Sequence, residues 1–195
     1  MDLGCGDAAL AKALVPKGFK VLSFDVVSDG DFVIEADICD HIPLPGTERG
    51  GGNIVDVVVF SLSLMSTNWP QSIREARRVL KSKSVTGGSG LSSSSRLSHS
   101  GELKIAEVTS RFTNHEDFVD VVCCLGFQLI ERVRIEHALP RLLAHDHPQI
   151  DKGTHFTLYD FKVSAPPATP WNAKEWKAIL SRGRAALKPC EYKRR

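Results

Sequence analysis

The sequence predicts an α/β doubly wound sheet with an antiparallel edge, and three observations lead to this prediction. A glycine turn, Gly4-Cys5-Gly6, stands between a short apolar start and a helical pattern. Residues 54–62 form an unbroken run rich in β-branched side chains, which is typical of a strand buried on both faces of a parallel sheet. The last two strand patterns, 127–134 and 155–163, have no helical pattern between them, which favours a final antiparallel pair.

The other predicted elements alternate between strand and helix, as a doubly wound sheet requires. A short helix over 8–14 ends at Pro16 and Gly18. An amphipathic helix is predicted over 71–81, and Asn114 or Thr113 caps another over 114–125. The remaining predicted strands are 19–24, 32–36 and 101–108.

Length and composition narrow the class of protein. The chain of 195 residues fits one domain, and its hydrophobic content of 42% is sufficient for a core. The net charge of +2 does not by itself indicate a nucleic-acid-binding protein. Five cysteines without CxxC spacing argue against a zinc site or a disulfide framework, and they suggest a reducing compartment. His145 and His147 have no further ligand at suitable spacing, so we predict a loop there and no metal site.

Two segments differ from the rest in composition. Residues 82–100 are rich in serine and glycine, and we predict a disordered surface insertion in a domain that covers 1–165. A retained intron would also explain this stretch. Residues 166–195 are interpreted as a basic tail that ends in Lys193-Arg194-Arg195. Since only three residues precede the glycine turn, the first strand is expected to be largely missing and the chain to be part of a longer protein.

The glycine turn and the next strand end predict a site for an adenosine-containing cofactor. Backbone at Gly4 can approach a ligand closely, and Asp25, at the tip of the next strand, can accept hydrogen bonds from ribose hydroxyls. The spacing Gly4-x-Gly6-x-x-Ala9 formally satisfies the NAD fingerprint, so the glycines do not exclude a dinucleotide.

Further carboxylates favour S-adenosylmethionine over NAD. Asp2 stands where nicotinamide sites usually have an apolar residue, and it can hold a cationic amino group directly or through water. Asp37 and Ile38 follow the third strand and offer a carboxylate for the adenine amine and an apolar face for its ring. Acidic side chains at several strand ends complement a sulfonium cation. Asp7 could belong to this group or simply cap the following helix.

The most specific segments of the sequence lie outside the glycine turn. They are DVVVFSLSLMSTNW at 56–69, REARRVLK at 74–81, GELKIAEVTSRF at 101–112, FTLYDFK at 156–162 and LKPCEYKRR at 187–195. Together they resemble the ribosomal RNA-processing protein 8 family, the nucleomethylin-like methyltransferases of the nucleolus. The resemblance covers nearly the whole chain apart from the serine-rich stretch.

The resemblance implies a Rossmann-like class I methyltransferase sheet, with S-adenosylmethionine as cofactor and no metal. It implies methylation of N1 of an adenosine in large-subunit ribosomal RNA, within ribosome biogenesis in the nucleus and nucleolus. It implies chromatin or ribosome-assembly proteins as further partners, and the alternative is a non-catalytic adaptor in ribosomal-DNA silencing. The residues that it assigns to the cofactor are Gly4, Asp25, Asp37, Ile38 and Ser61, and those that it places beside the acceptor base are Asn68 and Trp69.

No side chain is predicted to act as a catalytic base. Trp69 and Phe112 could hold an unstacked adenine, although either could instead pack in the core. Basic side chains are predicted to hold RNA phosphates, with a solvated helix face as the alternative. These residues are Arg74, Arg77, Arg78, Lys81, Arg132, Arg134 and the terminal Lys193-Arg194-Arg195.

Overall fold

The computed structural model describes residues 1–28, 30–46, 53–82, 100–135, 155–164 and 171–190. The strands in these ranges are β1 Asp2–Leu3, β2 Ser23–Asp25, β3 Val33–Glu35, β4 Val57–Ser61, β5 Glu102–Val108, β6 Phe127–Ile135 and β7 Phe156–Val163. The α-helices are α1 Ala9–Leu14, α2 Trp69–Val79, α3 His115–Cys124 and α4 Ala173–Ala186, and Val15–Lys17 and Thr109–Arg111 form 3₁₀ turns. No helix in the described ranges is long and apolar enough to cross a membrane.

The seven strands form one sheet in the order β3-β2-β1-β4-β5-β7-β6. Strands β1 to β5 are mutually parallel, whereas β7 runs antiparallel to both of its neighbours, β5 and β6. This order confirms the predicted doubly wound sheet with an antiparallel edge. Because a dinucleotide-binding sheet follows the order 3-2-1-4-5-6, an antiparallel β7 inserted next to β5 argues against the NAD interpretation.

Strand β1 is short but central. Both of its residues pair with β2 on one side, and Asp2 pairs with Val59 of β4 on the other. The backbone amide of Val59 also donates to the carbonyl of Met1, which extends the contact with β4. The strand order changes direction at β1, so the glycine turn that follows it opens into the crevice where ligands of such sheets bind.

Aromatic side chains fill the core between the sheet and the helices α2, α3 and α4. Trp69 is fully buried, and its ring centroid lies 4.9 Å from that of Phe118, which in turn lies 5.1 Å from Tyr159. The indole Nε1 of Trp69 donates to the carbonyl of Gly183 at 3.0 Å. A Cβ at Gly183 would lie 2.5 Å from Cγ of Pro70, so only glycine allows α4 to pack this closely on α2.

Helix α4 lies within the segment that the sequence analysis interpreted as a tail. It begins with a capping box in which Asn172 and Glu175 each accept a backbone hydrogen bond from the other residue at 2.9 Å. The Asn-x-x-Glu pattern is present in the sequence, but the prolines and lysines around it are typical of an irregular tail, so no helix was predicted there. The serine-rich stretch over 83–99, His145, His147 and the terminal residues 191–195 lie outside the described ranges, so their predictions stay predictions.

Candidate functional site

The glycine turn lies at the carboxyl end of β1, directly against the loop that follows β4. Gly4 has φ of +72°, and a Cβ built there would lie only 2.4 Å from Cβ of Ser63. The hydroxyl of Ser63 donates to the carbonyl of Leu3 at 2.6 Å, which holds the two loops together. The absence of a side chain at Gly4 therefore decides how closely the β1 and β4 loops approach.

Asp25 ends β2 beside this turn, as predicted. Its Oδ2 accepts a hydrogen bond from the backbone amide of Gly6 at 2.8 Å, which fixes the carboxylate next to the turn. The residue is half-buried, and its Oδ1 accepts from the amide of Val27 at 3.4 Å. A carboxylate has more acceptor positions than these two amides occupy. Asp25 can therefore orient the turn and still accept from a diol such as a ribose.

Asp37 and Ile38 follow β3 at the same edge of the sheet. The Oδ1 of exposed Asp37 accepts from the amide of Cys39 at 2.8 Å, which fixes the local turn. Ile38 is buried, and its Cδ1 lies 3.5 Å from the position of a Cβ on Gly4. Gly4, Ile38 and Ser63 are thus immediate neighbours, which gives the crevice an apolar wall beside the glycine backbone.

Asp2 supplies a buried carboxylate at the base of the crevice. The residue is 3% exposed, and its Oδ1 has no hydrogen-bond partner within the described part of the chain. Burial raises the pKa of Asp2 to about 6, although the chain's amino group opposes this shift. A buried acceptor without a donor is costly unless a ligand completes it. An ammonium group entering the crevice would provide the missing partner.

Ser61 and the loop after it form the wall on the β4 side. Ser61 ends β4 with its side chain exposed, and Leu62 adopts φ of +59°, a conformation that costs energy for leucine. The amide of Leu62 donates to the carbonyl of Ala106 at 2.9 Å, so β5 fixes this unusual turn. Residues 62–68, which we call the acceptor loop, thereby stay at the crevice instead of continuing the strand.

The neighbouring residues Asn68 and Trp69 lie in different environments. Asn68 is half-buried at the start of α2, and its side chain forms no capping hydrogen bond, so it can face a ligand. Trp69 is fully buried against Phe118 and cannot border an acceptor base. Phe112 is also buried, with its ring centroid 5.0 Å from that of Phe118 in an edge-on contact. For both aromatic residues the packing alternative is the one that the structure supports.

A buried ion pair, which the sequence analysis did not identify, holds the acceptor loop in place. Glu107 Oε1 accepts from the amide of Leu64 at 3.0 Å, and its other oxygen pairs with Arg111. Arg111 Nη2 donates to the carbonyl of Leu64 at 2.6 Å and to that of Lys188 at 2.9 Å. Both residues belong to the family-specific segment 101–112, but Glu107 lies in β5 and Arg111 in the 3₁₀ turn after it, so their spacing in the sequence did not predict the pair.

Several arginines predicted to hold RNA are engaged within the protein. Arg78 is buried, pairs with Glu75 and donates to the carbonyls of Ile42 and Leu44, so its assignment to RNA was wrong. Arg74 lies over the ring of Trp176 at 4.7 Å. Arg77 donates to the carbonyl of Ser164, Lys81 forms an ion pair with Asp56, and Arg132 forms an ion pair with Glu116.

These features fit the cofactor expected from the sequence. The unpartnered Asp2 suits an ammonium group, the bare backbone at Gly4 suits close approach of a ligand chain, and Asp25 suits a ribose. Among the described residues, no group of histidine, cysteine or acidic side chains could hold a metal ion.

Comparison with known proteins gives a consistent family. A family model described as a hypothetical methyltransferase matches residues 1–195. The chain is 33% identical over 196 residues to ribosomal RNA-processing protein 8 of Caenorhabditis elegans, covering 100% of this chain and 41% of that protein. It is 30% identical over 199 residues to 25S rRNA (adenine(645)-N(1))-methyltransferase of Schizosaccharomyces pombe, covering 100% of this chain and 46% of that protein. The chain thus spans less than half the length of these two relatives.

The solved structures agree on the fold. A putative S-adenosylmethionine-dependent methyltransferase from Listeria monocytogenes matches with a TM-score of 0.57 at 16% identity, over 84% of this chain and 89% of that one. This likeness confirms the predicted class I methyltransferase sheet.

Proposed function

This chain belongs to the methyltransferase family whose model matches its full length, and from that premise we propose that it is an S-adenosylmethionine-dependent RNA methyltransferase domain. The proposed reaction is methylation of N1 of an adenosine in large-subunit ribosomal RNA. The observation that carries the cofactor assignment is the buried, unpartnered carboxylate of Asp2 beside the bare backbone of Gly4.

Each cofactor contact has a distinct physical role. Asp2 would pair with the amino group of the methionine part, since an ionised carboxylate in a poorly solvated position binds an ammonium strongly. Asp25 would accept from the ribose hydroxyls while it holds the Gly6 amide. Asp37 would accept from the adenine amine, Ile38 would pack on the adenine ring, and the backbone of Ser61 would line the same pocket.

When bound, the cofactor supplies a methyl group on a sulfonium, whose carbon–sulfur electron pair returns to sulfur as the new carbon–nitrogen bond forms. The positive charge passes to the adenine, so no proton has to leave N1 before transfer. The chain therefore acts mainly by positioning. Its acceptor loop, held by Glu107 and Arg111, would place the edge of an unstacked adenine in line with the methyl group, with Asn68 at the loop's end.

The choice of substrate rests on the relatives. One is named for processing ribosomal RNA and another for methylating adenine N1 in 25S ribosomal RNA, and both match the chain over its whole length. This substrate implies that the protein works in the nucleus and nucleolus of its cell. Chromatin or assembly proteins would be partners of the same compartment.

The test is transfer of radiolabelled methyl from S-adenosylmethionine to unmodified large-subunit ribosomal RNA. A methyl group on N1 blocks the Watson–Crick edge, so reverse transcription should stop at the labelled adenosine. Asp25→Ala should lose the label together with affinity for S-adenosylhomocysteine. The Glu102→Ala variant removes the same charge at a half-buried position, where Glu102 pairs with Lys104 at the start of β5, away from the strand ends that bind cofactor. It should keep both.

The alternative is a non-catalytic adaptor that binds the cofactor. It predicts normal binding of S-adenosylhomocysteine without label on RNA, and partner binding that survives Asp25→Ala. Absence of labelled RNA under conditions where the cofactor binds would refute the enzymatic proposal.

A further inference from the structure

We infer that the exposed face of α4 is the surface that holds the phosphodiester backbone of the RNA substrate. This inference rests on the proposed function and extends it from the reacting base to the rest of the substrate. The face carries the cationic side chains of Lys174, Lys177 and Arg184, and Lys188 follows just after the helix. We call these four residues the basic stripe.

Lys174, Lys177 and Arg184 lie on one side of the helix, because their spacings of three and seven residues return to the same side at 3.6 residues per turn. Lys188 follows the helix, after the extended residue Leu187. The buried residues Ile179, Gly183 and Ala186 lie on the opposite side. A helix of 14 residues is about 21 Å long, so the stripe can contact several successive phosphates.

The basic stripe has no acidic partner among the residues that the structure describes. None of its four side chains forms an ion pair with another residue in the described ranges, and all four are exposed. Of the acids that contact α4, Glu175 accepts the amide of Asn172 and Asp120 pairs with Arg182, which is not part of the stripe. Several surface cations elsewhere have partners: Lys12 with Asp7, Lys81 with Asp56, Lys104 with Glu102 and Asp160, and Arg132 with Glu116. The exposed Lys17, Lys20 and Lys162 form no ion pair in the described ranges, but they are not grouped on one helix face.

The stripe ends at the acceptor loop. The amide of Lys188 donates to the carbonyl of Arg111 at 2.9 Å, and Arg111 in turn donates to the carbonyls of both Lys188 and Leu64. Two residues later, the amide of Cys190 donates to the carbonyl of Met65 at 3.0 Å. An RNA strand that binds along the stripe would therefore reach the acceptor loop, which would receive the unstacked base. An RNA backbone fits this arrangement because its charge is continuous and negative.

The experiment compares two double variants of equal charge in the full chain. Lys177→Gln with Lys188→Gln removes two stripe charges, and Lys17→Gln with Lys20→Gln removes two exposed charges near the end of α1, away from the acceptor loop. Binding of a single-stranded fragment of large-subunit ribosomal RNA is measured against salt concentration. Since each phosphate contact adds about 0.7 to the slope of log affinity against log salt, the stripe variant should be shallower by about 1.4.

The stripe variant should also raise the KM for RNA while kcat and the affinity for S-adenosylhomocysteine stay unchanged. An unchanged salt slope, or an equal loss in the control variant, would overturn the inference. So would loss of binding to vesicles of anionic lipid with an unchanged RNA slope, which would make the stripe a membrane-facing surface. If the unsubstituted chain transfers no methyl group, the proposed function fails, while the salt slope still tests the stripe.

Discussion

Gly4→Ala tests whether the approach of the β1 and β4 loops forms the cofactor site. The alanine would have to adopt φ of +72°, which costs about 1–2 kcal/mol for a residue with a Cβ. Its Cβ would lie 2.4 Å from Cβ of Ser63, where ordinary contact begins at 3.4 Å, so the acceptor loop must retreat by about 1 Å. That movement strains the hydrogen bond from Ser63 to Leu3, worth about 0.5–1.5 kcal/mol. The expected loss of stability is the sum of these two contributions, about 1.5–3.5 kcal/mol.

Gly18→Ala is the matched control, because Gly18 has φ of +88° with no atom within 4 Å of a built Cβ. The Gly18→Ala variant should lose only the stability that the left-handed φ costs a residue with a Cβ, about 1–2 kcal/mol. Urea unfolding measures both stabilities, and calorimetric titration measures binding of S-adenosylhomocysteine. We expect binding to weaken more than tenfold in the Gly4 variant and to stay unchanged in the Gly18 variant. If the Gly4 variant is no less stable than the control and binds within twofold of the unsubstituted chain, the reasoning about this contact is wrong.

Three further perturbations address other parts of the site. The pKa of Asp2 is raised to about 6, above its usual value of 3.8, so the stability of the ligand-free chain should fall as pH rises through about 6, while affinity for S-adenosylhomocysteine should rise over the same range. Asp2→Asn should abolish both trends in unfolding and titration experiments, and a trend that persists in this variant would show that another group causes it. Glu107→Gln leaves Arg111 as an unpaired buried cation and should cost about 3–5 kcal/mol in urea unfolding. The control Glu102→Gln breaks the half-buried surface pair with Lys104 and should cost less than about 1 kcal/mol. Trp69→Phe loses the indole hydrogen bond to α4 and should cost about 1–3 kcal/mol while cofactor affinity stays within twofold, whereas loss of RNA methylation at unchanged stability would return Trp69 to the acceptor site.

Much of the fold was predictable because its elements have strong local signals. The β-branched run before Ser61 and the Asn114 cap are recognisable without any partner, and both elements formed where expected. Helix α4 was missed because its capping box lies among prolines and lysines that are typical of a tail. Its structure depends on burial against α2 and α3, a contact between residues more than fifty positions apart in the chain.

The sequence also predicted which residues lie at the strand ends, but it left their roles open. Asp2, Gly4 and Asp25 follow or end predicted strands, and parallel strands bring such ends to one edge of a sheet. Whether the side chain of Trp69 faces a base or the core could not be predicted. Trp69 is the first residue of α2, and the direction of its side chain depends on how α2 is rotated about its axis when it packs on the sheet. The same limit applied to Arg78, which reads as a surface cation until its partner Glu75 is seen to be buried.

The sequence by itself determined the class of sheet, the glycine turn and the carboxylates beside it, because each depends on residues that are near neighbours in the chain. Tertiary structure alone decided that Glu107 and Arg111 hold the acceptor loop, that Trp69 packs inside, and that α4 presents a basic stripe next to that loop. These features depend on which side chains, distant from one another in the sequence, are buried next to each other in the folded protein. The free energy of burying or pairing a charge is set by that surrounding structure and not by the local order of residues.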